Sequence, residues 1–358
     1  MKCPDGIDPI MYLNPSRTGW PLKTFLLLFL SLMLGGCFQD NAPLTPTKSQ
    51  IVVFGTYVDI TVYTDNAEQA VKAIQQVEQR FQQFHHEWHA WESGGIVSKI
   101  NQAIAKKQPI AVSKSIKAFI LKSQTLSAQS DYLFDPAIGQ LVALWGFHGE
   151  QWQGPPPSDN AIKNWLKTRP TIADISFKGQ KLISTNPNVK LDFGGNAKGL
   201  ALDIAMQQLR KAGIENAIVN IGGDMRVIGS KNGQAWRVGI QNPSTPSQAI
   251  AMLELSGDES VVTSGTYQRL FEWQGQRFSH ILDPNTGKPA NSFASVTVIH
   301  ADATTADTAA TAILIAGPNR WRTVAESMGV KRVFIIDQTG QTLLTQPMTE
   351  RIKLLGDN

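Results

Sequence analysis

Apolar positions along the chain change their period several times, and each period predicts an element. "IVVFGTYVDITVYT" (51–64) alternates and is rich in β-branched residues, which predicts a strand pair or one long strand bent at Gly55. "AEQAVKAIQQVEQRFQQF" and "SKSIKAFILKSQTLSAQS" carry their apolar residues at helical spacing, as does "AKGLALDIAMQQLRKAG". "GEQWQGPPPSD" is a loop that continues neither kind of element. Beyond it the short runs "AIVNIGG", "WRVGIQN", "AMLELSG" and "SVTVIH" read as strands, so the pattern predicts an α+β protein with strands and helices around a shared core.

The N-terminus follows another logic. Arg17 and Lys23 precede the apolar run "TFLLLFLSLML" and the small residues "GGC", the order of a secretory signal. The run is too short to span a bilayer comfortably. "LGGC", Leu34 to Cys37, resembles the lipobox of bacterial lipoproteins, whose cysteine is lipidated and becomes the first mature residue. The expected organisation is therefore a signal peptide over 1–36, a polar tether over 37–49, a catalytic domain over 50–348 and a tail over 349–358. Lipid at Cys37 would anchor the protein to a membrane of the bacterial envelope, facing the periplasm.

Composition narrows the partners. A chain of 358 residues with 42% hydrophobic content buries a large core. Its net charge of +4 falls to +3 when the leader takes three basic and two acidic side chains with it, and the cations form no blocks, so nucleic acid is not expected. Of the two cysteines, Cys3 lies in the leader, which leaves the mature domain without a disulfide or thiolate metal site.

Three stretches carry candidate chemistry. In "ADATTADTAATAILIAG" (301–317), Asp307 and Thr311 are four apart on a helix and can aim two oxygens at one target. A threonine bonding its own backbone and an aspartate facing water account for the same pair. In "DFGGNAKG", glycines lead into a helix near Ala197 with Lys198 in its first turn, which suits an anion as well as it suits an ordinary strand-to-helix turn. His280 in "RFSHILDPNTGKP" is a base, a binding group or a core histidine at a strand end. The pair His85 and His89 in "HHEWHAW" lacks the zincin spacing and a third ligand, so it reads as the polar end of a helix.

In combination, "LFDPAIGQLVALWGF", "KLDFGGNAKGLALD", "NAIVNIGGDMRVIG", "VVTSGTYQRLFEWQGQRFSHILDPNTGKP" and "ADTAAT" resemble the ApbE family in order and spacing, over roughly residues 50 to 345. The resemblance implies a single T-fold-like domain of mixed and antiparallel sheets packed with helices. It also implies an FAD:protein FMN transferase, often an exported lipoprotein, that moves FMN from FAD to a Thr or Ser hydroxyl of an acceptor flavoprotein and releases AMP. Hydrolysis of FAD to FMN and AMP, or FAD binding without turnover, are the alternatives.

Carried over residue by residue, the resemblance places Mg²⁺ on Asp307, Thr311 and the backbone carbonyl of Gly195. FAD contacts fall on Phe54, Trp91, the run Leu133-Phe134-Asp135, Asp192, Lys198 and Ile281. His280 is the first choice for the base and Asp307 the second. Against the family pattern, Phe54 stands for Met, Trp91 for Tyr, Gly95 for Ser and Asn196 for an apolar residue.

Overall fold

In a computed structural model that describes residues 43–149 and 151–355, strand β1 (Thr47–Val53) turns into β2 (Thr56–Tyr63) through the pair Phe54-Gly55. The 51–64 segment is thus a strand pair, not one bent strand. Both turn residues have positive φ, 59° and 69°. That is the backbone a two-residue hairpin needs to match strand twist, and it costs a phenylalanine far more than a glycine.

Six further strands complete the main sheet: β3 (Asn216–Ile221), β4 (Asp224–Gly229), β5 (Gly257–Gly265), β6 (Phe293–His300), β7 (Arg332–Asp337) and β8 (Thr342–Leu344). They lie side by side in chain order, every neighbouring pair antiparallel. Among the described residues the parallel component of the expected mixed sheets is a single bridge, Ile138 to Lys190.

Helices cover one face. Helix α1 (Ala67–Trp88) starts at Asn66, whose side chain accepts the Gln69 amide. Then come α2 (Ile96–Ala105), α3 (Lys114–Gln129), α4 (Gly139–Leu144), α5 (Asp159–Lys167), α6 (Ala197–Lys211) and α7 (Ala303–Ser327). Val58, Ile60 and Val62 of β2 meet Ala70, Ile74 and Val77 of α1 and Leu202 and Ala205 of α6, while Val262, Val296 and Val298 meet the alanines of α7. The opposite face carries a small sheet of Trp236–Gln241, Ala249–Leu255 and Ile352–Leu354, packed on Val261, Ile299 and Phe334. Successive residues such as Val298 and Ile299 therefore enter different cores, which is why "SVTVIH" is apolar nearly throughout.

Helix α7 breaks at Gly317 (φ 66°, ψ −174°), and Pro318 opens its second half. The Ala-rich helix ends where the 301–317 pattern ends.

Two boundaries need correction. Thr47 to Ser49, expected in the tether, pair with β2, and Leu44 packs on the core below the small sheet and exchanges hydrogen bonds with Asn232. Ile352–Leu354, expected in the tail, pair with Leu253–Ala251. The compact unit begins at Leu44. The signal segment, Cys37 and the first part of the tether lie outside the described residues. Among the described residues no helix is long and apolar enough to cross a membrane.

Candidate functional site

The first turn of α6 meets the second turn of α7 at one end of the sheet. Gly199 is the third residue of α6, so its amide is one of those that a helix start leaves without an intrahelical acceptor. It donates to Asp307 Oδ2 at 2.9 Å, which ties α7 to the turn that carries Gly195. A Cβ placed on Gly195 would lie 3.8 Å from Thr311 Oγ1 and 3.0 Å from Phe134 Cε2, so a side chain would fill the corner between them. Thr311 Oγ1 is also 3.0 Å from Ser264 Oγ at the end of β5. Asp307, Thr311 and Gly195, chosen from distant parts of the sequence, thus come together, and Ser264 joins them.

Electrostatics at this corner favour a cation. Asp307 is buried, and burial together with the neighbouring Asp224 carboxylate pushes its pKa up to about 8, against the pull of Lys198. Burial pulls the Lys198 ammonium down, but Asp224 and Asp307 outweigh it and hold it above the ordinary lysine value. Lys198 pairs directly with Asp224, whose other oxygen accepts the Thr263 amide at 3.1 Å. A hard dication needs oxygen ligands and few carboxylates when phosphates complete its shell. One carboxylate, one or two hydroxyls and a main-chain carbonyl fit that need.

The start of α7 is fixed from outside. Asp203 of α6 accepts the amides of Ala303 and Thr304 at 2.9 and 3.1 Å and the Thr304 hydroxyl at 2.6 Å. Arg226, two residues beyond Asp224 on β4, holds Asp203 in turn. Asp302 caps the same end through the Thr305 amide at 2.7 Å and is paired with Lys122. Four of the backbone amides that a helix start leaves open are a known cost, and two different acids meet it here.

Trp91 and Asp192 form a second group. Trp91 Nε1–H donates to Asp192 Oδ2 at 2.9 Å while the Gly194 amide donates to Oδ1 at 2.8 Å, so the tryptophan is tied to the glycine turn. Lys190 Nζ sits 3.7 Å above the Trp91 ring, and His148 lies 5.1 Å from it. Phe54 leans edge-on against Phe81 and Phe84 at 5.4 and 5.8 Å. The His85–His89 stretch is a helix end, as expected: His89 Nδ1 accepts the amides of Trp91 and Glu92.

Other expected residues lie deeper. Leu133 and Phe134 are buried in the α7 core, with Phe134 against Gly195. Ile281 is buried, its carbonyl accepting the Ala290 amide at 2.8 Å. The Asp135 side chain is buried: its Oδ1 accepts the amides of Ala137 and Ile172 at 2.9 and 3.0 Å, and Oδ2 is without a partner among the described residues.

Burial pushes Asp135 up to about 6 from 3.8. Because the folded value is the higher one, the folded chain holds the proton more tightly, and stability from this group is lost as pH rises from 3.8 through about 6. Two units correspond to at most roughly 3 kcal/mol. Thermal midpoints should thus decline between about pH 4 and pH 6 more in the wild type than in Asp135→Asn. Parallel curves for the two would refute a buried charge.

His280 is half-buried, with its Nδ1 3.1 Å from the Arg269 carbonyl. Burial, then the positive charges of Arg269 and Lys198, push it down to about 4, so it is neutral at neutral pH. Asp224, Ser264 and Arg269 were not singled out by sequence reasoning. Asp224 had a legible signal, an acid straight after the paired glycines of "NIGGD"; Ser264 had none.

An eight-stranded antiparallel sheet with helices on one face and an oxygen-lined corner where two of them meet defines an α+β class of protein. The model of the ApbE family matches residues 54–334, and the chain belongs to that family. It is 35% identical over 337 residues to the FAD:protein FMN transferase of Rhodobacter capsulatus, covering 94% of this chain and 63% of that protein, so it spans less than two thirds of that relative. The crystal structure of the ApbE protein of Thermotoga maritima is similar with a TM-score of 0.79 at 30% identity, covering 86% of this chain and 99% of that one. The flavin transferase ApbE of Vibrio cholerae gives 0.75 at 26% identity, covering 86% and 100%.

Proposed function

We propose that this protein moves the FMN part of FAD to a Thr or Ser hydroxyl of an acceptor protein and releases AMP. The observation that carries this reading is the Gly199 amide bonded to Asp307, which brings Asp307 and Thr311 of α7 against the Gly195 turn, beside a helix N-terminus and Lys198. The relatives named above for this activity support it.

The residues divide the work by chemistry. Asp307, Thr311 and the Gly195 carbonyl would hold Mg²⁺, which when bound neutralises the diphosphate and polarises its phosphorus–oxygen bonds. The α6 N-terminus and Lys198 draw in the phosphates. Trp91, held by Asp192, offers a flat apolar face to a ring system, and Phe54 presents a second at the hairpin tip. The acceptor oxygen bonds to the FMN phosphorus, the bond from that phosphorus to the AMP oxygen breaks, and His280 takes the hydroxyl proton.

Since His280 is neutral down to about pH 4, kcat/KM measured with Mg²⁺ saturating at every pH should stay level from neutral pH down to an acid limb near that value. In His280→Ala that limb should vanish with most of the rate. A limb that persists in the variant would assign it to another group.

The defining experiment incubates the protein with FAD and Mg²⁺, with and without a Thr-bearing exported acceptor, and reads acceptor mass. An added FMN supports transfer. Free FMN and AMP with an unmodified acceptor would make the protein a hydrolase instead.

We also propose envelope localisation through lipid on Cys37, supported by the charged, apolar and small-residue order of the leader. Labelling with a fatty acid that is lost in Cys37→Ser tests it.

A further inference from the structure

We propose that Arg269 clamps the diphosphate of the dinucleotide from its place between the first hairpin, Trp152 and His280. The inference rests on the transferase reading above and adds a residue to it.

The backbone of Arg269 is fixed beside the reacting region. Its carbonyl accepts the His280 amide at 3.0 Å and faces His280 Nδ1 at 3.1 Å. From there the exposed side chain reaches toward the first hairpin, where a Cβ built on Gly55 would lie 4.0 Å from Nη2. Its guanidinium carbon stands 5.9 Å from the ring of Trp152. The arm therefore runs between the hairpin tip, Trp152 and His280.

Charge makes this placement informative. Arg226 and Arg351 are each paired with carboxylates, whereas none of the ion pairs among the described residues involves Arg269. Its charge and that of Lys198 both bear on His280, so two cations converge there, and only Lys198 has its own counter-ion. Like charges held this way repel unless an anion comes between them. A guanidinium presents a planar fork that matches adjacent phosphate oxygens, which an ammonium does not.

The same position serves the bond that breaks. As the acceptor oxygen bonds to the FMN phosphorus, the electron pair of the cleaved bond stays on the AMP phosphate oxygen, and the hydroxyl proton passes to His280. Negative charge thus grows on the departing phosphate, where a fixed guanidinium stabilises the transition state more than the bound substrate.

The test compares wild type, Arg269→Gln and Arg269→Lys for equilibrium binding of FAD, ADP and riboflavin, together with kcat/KM for transfer. Arg269 is exposed, so the variants should melt with the wild type. The clamp predicts FAD and ADP binding weakened tenfold or more in Arg269→Gln, with riboflavin binding unchanged and Arg269→Lys intermediate. It predicts a larger loss in kcat/KM than in FAD affinity. Equal FAD and ADP affinity in Arg269→Gln and wild type would overturn it, as would an equal loss for riboflavin or a wild type that binds neither nucleotide. A wild type that binds FAD without ever modifying an acceptor would overturn the transferase reading, while the binding series still decides the clamp.

Discussion

Asp307→Asn is expected to fold normally and to lose covalent flavin transfer by roughly 10³-fold or more, since the cation proposed to bind there would supply several kcal/mol of the barrier. The asparagine oxygen can still accept the Gly199 amide, now 2.9 Å from Oδ2, so the α6–α7 junction survives. Alanine at 307 would strand that buried amide at a further cost of about 1–3 kcal/mol, which makes it the poorer variant for this purpose. A pH signature should accompany the loss. Without a cation Asp307 titrates near 8, and the cation takes only the carboxylate, so apparent Mg²⁺ affinity should rise with pH up to about 8 and level off above it. Activity titrations with Mg²⁺ at several pH values measure this directly. Asp307→Asn with wild-type activity, or Mg²⁺ affinity that ignores pH, would refute the cation corner.

Lys198→Met should produce the largest loss of stability among the site variants. Asp224, with its side chain only 2% exposed, would keep the Thr263 amide and lose its ionic partner. Breaking a buried pair from one side costs on the order of 3 kcal/mol, here at the lower end because Lys198 reaches solvent. Asp224→Asn in the same background should restore much of it, because the uncompensated charge is then gone. Chemical denaturation of the single and double variants reads the coupling. An unchanged midpoint in Lys198→Met would refute a stabilising contribution from this pair. FAD affinity should fall in both variants alike, since neither carries the ammonium.

Local pattern revealed the long helices and the Ala-rich helix and offered the hairpin at Phe54-Gly55 as one of two readings, because each rests on contacts between near neighbours in the chain. The chain edges were less legible. "TKSQ" reads as a tether since an edge strand with one wet face alternates weakly, and Ile352–Leu354 is too short to show any period. Asp307 and Thr311 were visible as a helical pair, but their company was not. Ser264 reaches Thr311 across 47 residues and Asp224 reaches Lys198 across 26, and nothing local marks either meeting. Asp135 likewise has partners that the sequence does not mark, amides 2 and 37 residues away, the second of which only the fold supplies.

Gly199 sits where a methyl group would stand 2.4 Å from the carbonyl oxygen of Ala303. Helices α6 and α7 therefore touch main chain to main chain, with nothing compressible between them. Asp307 and Thr311 ride on α7 and Gly195 on the turn that leads into α6, so the spacing between them is set by this one missing carbon. Substitution there would open the corner without altering a single atom that meets the nucleotide, and a chemically complete site would be left too wide to grip.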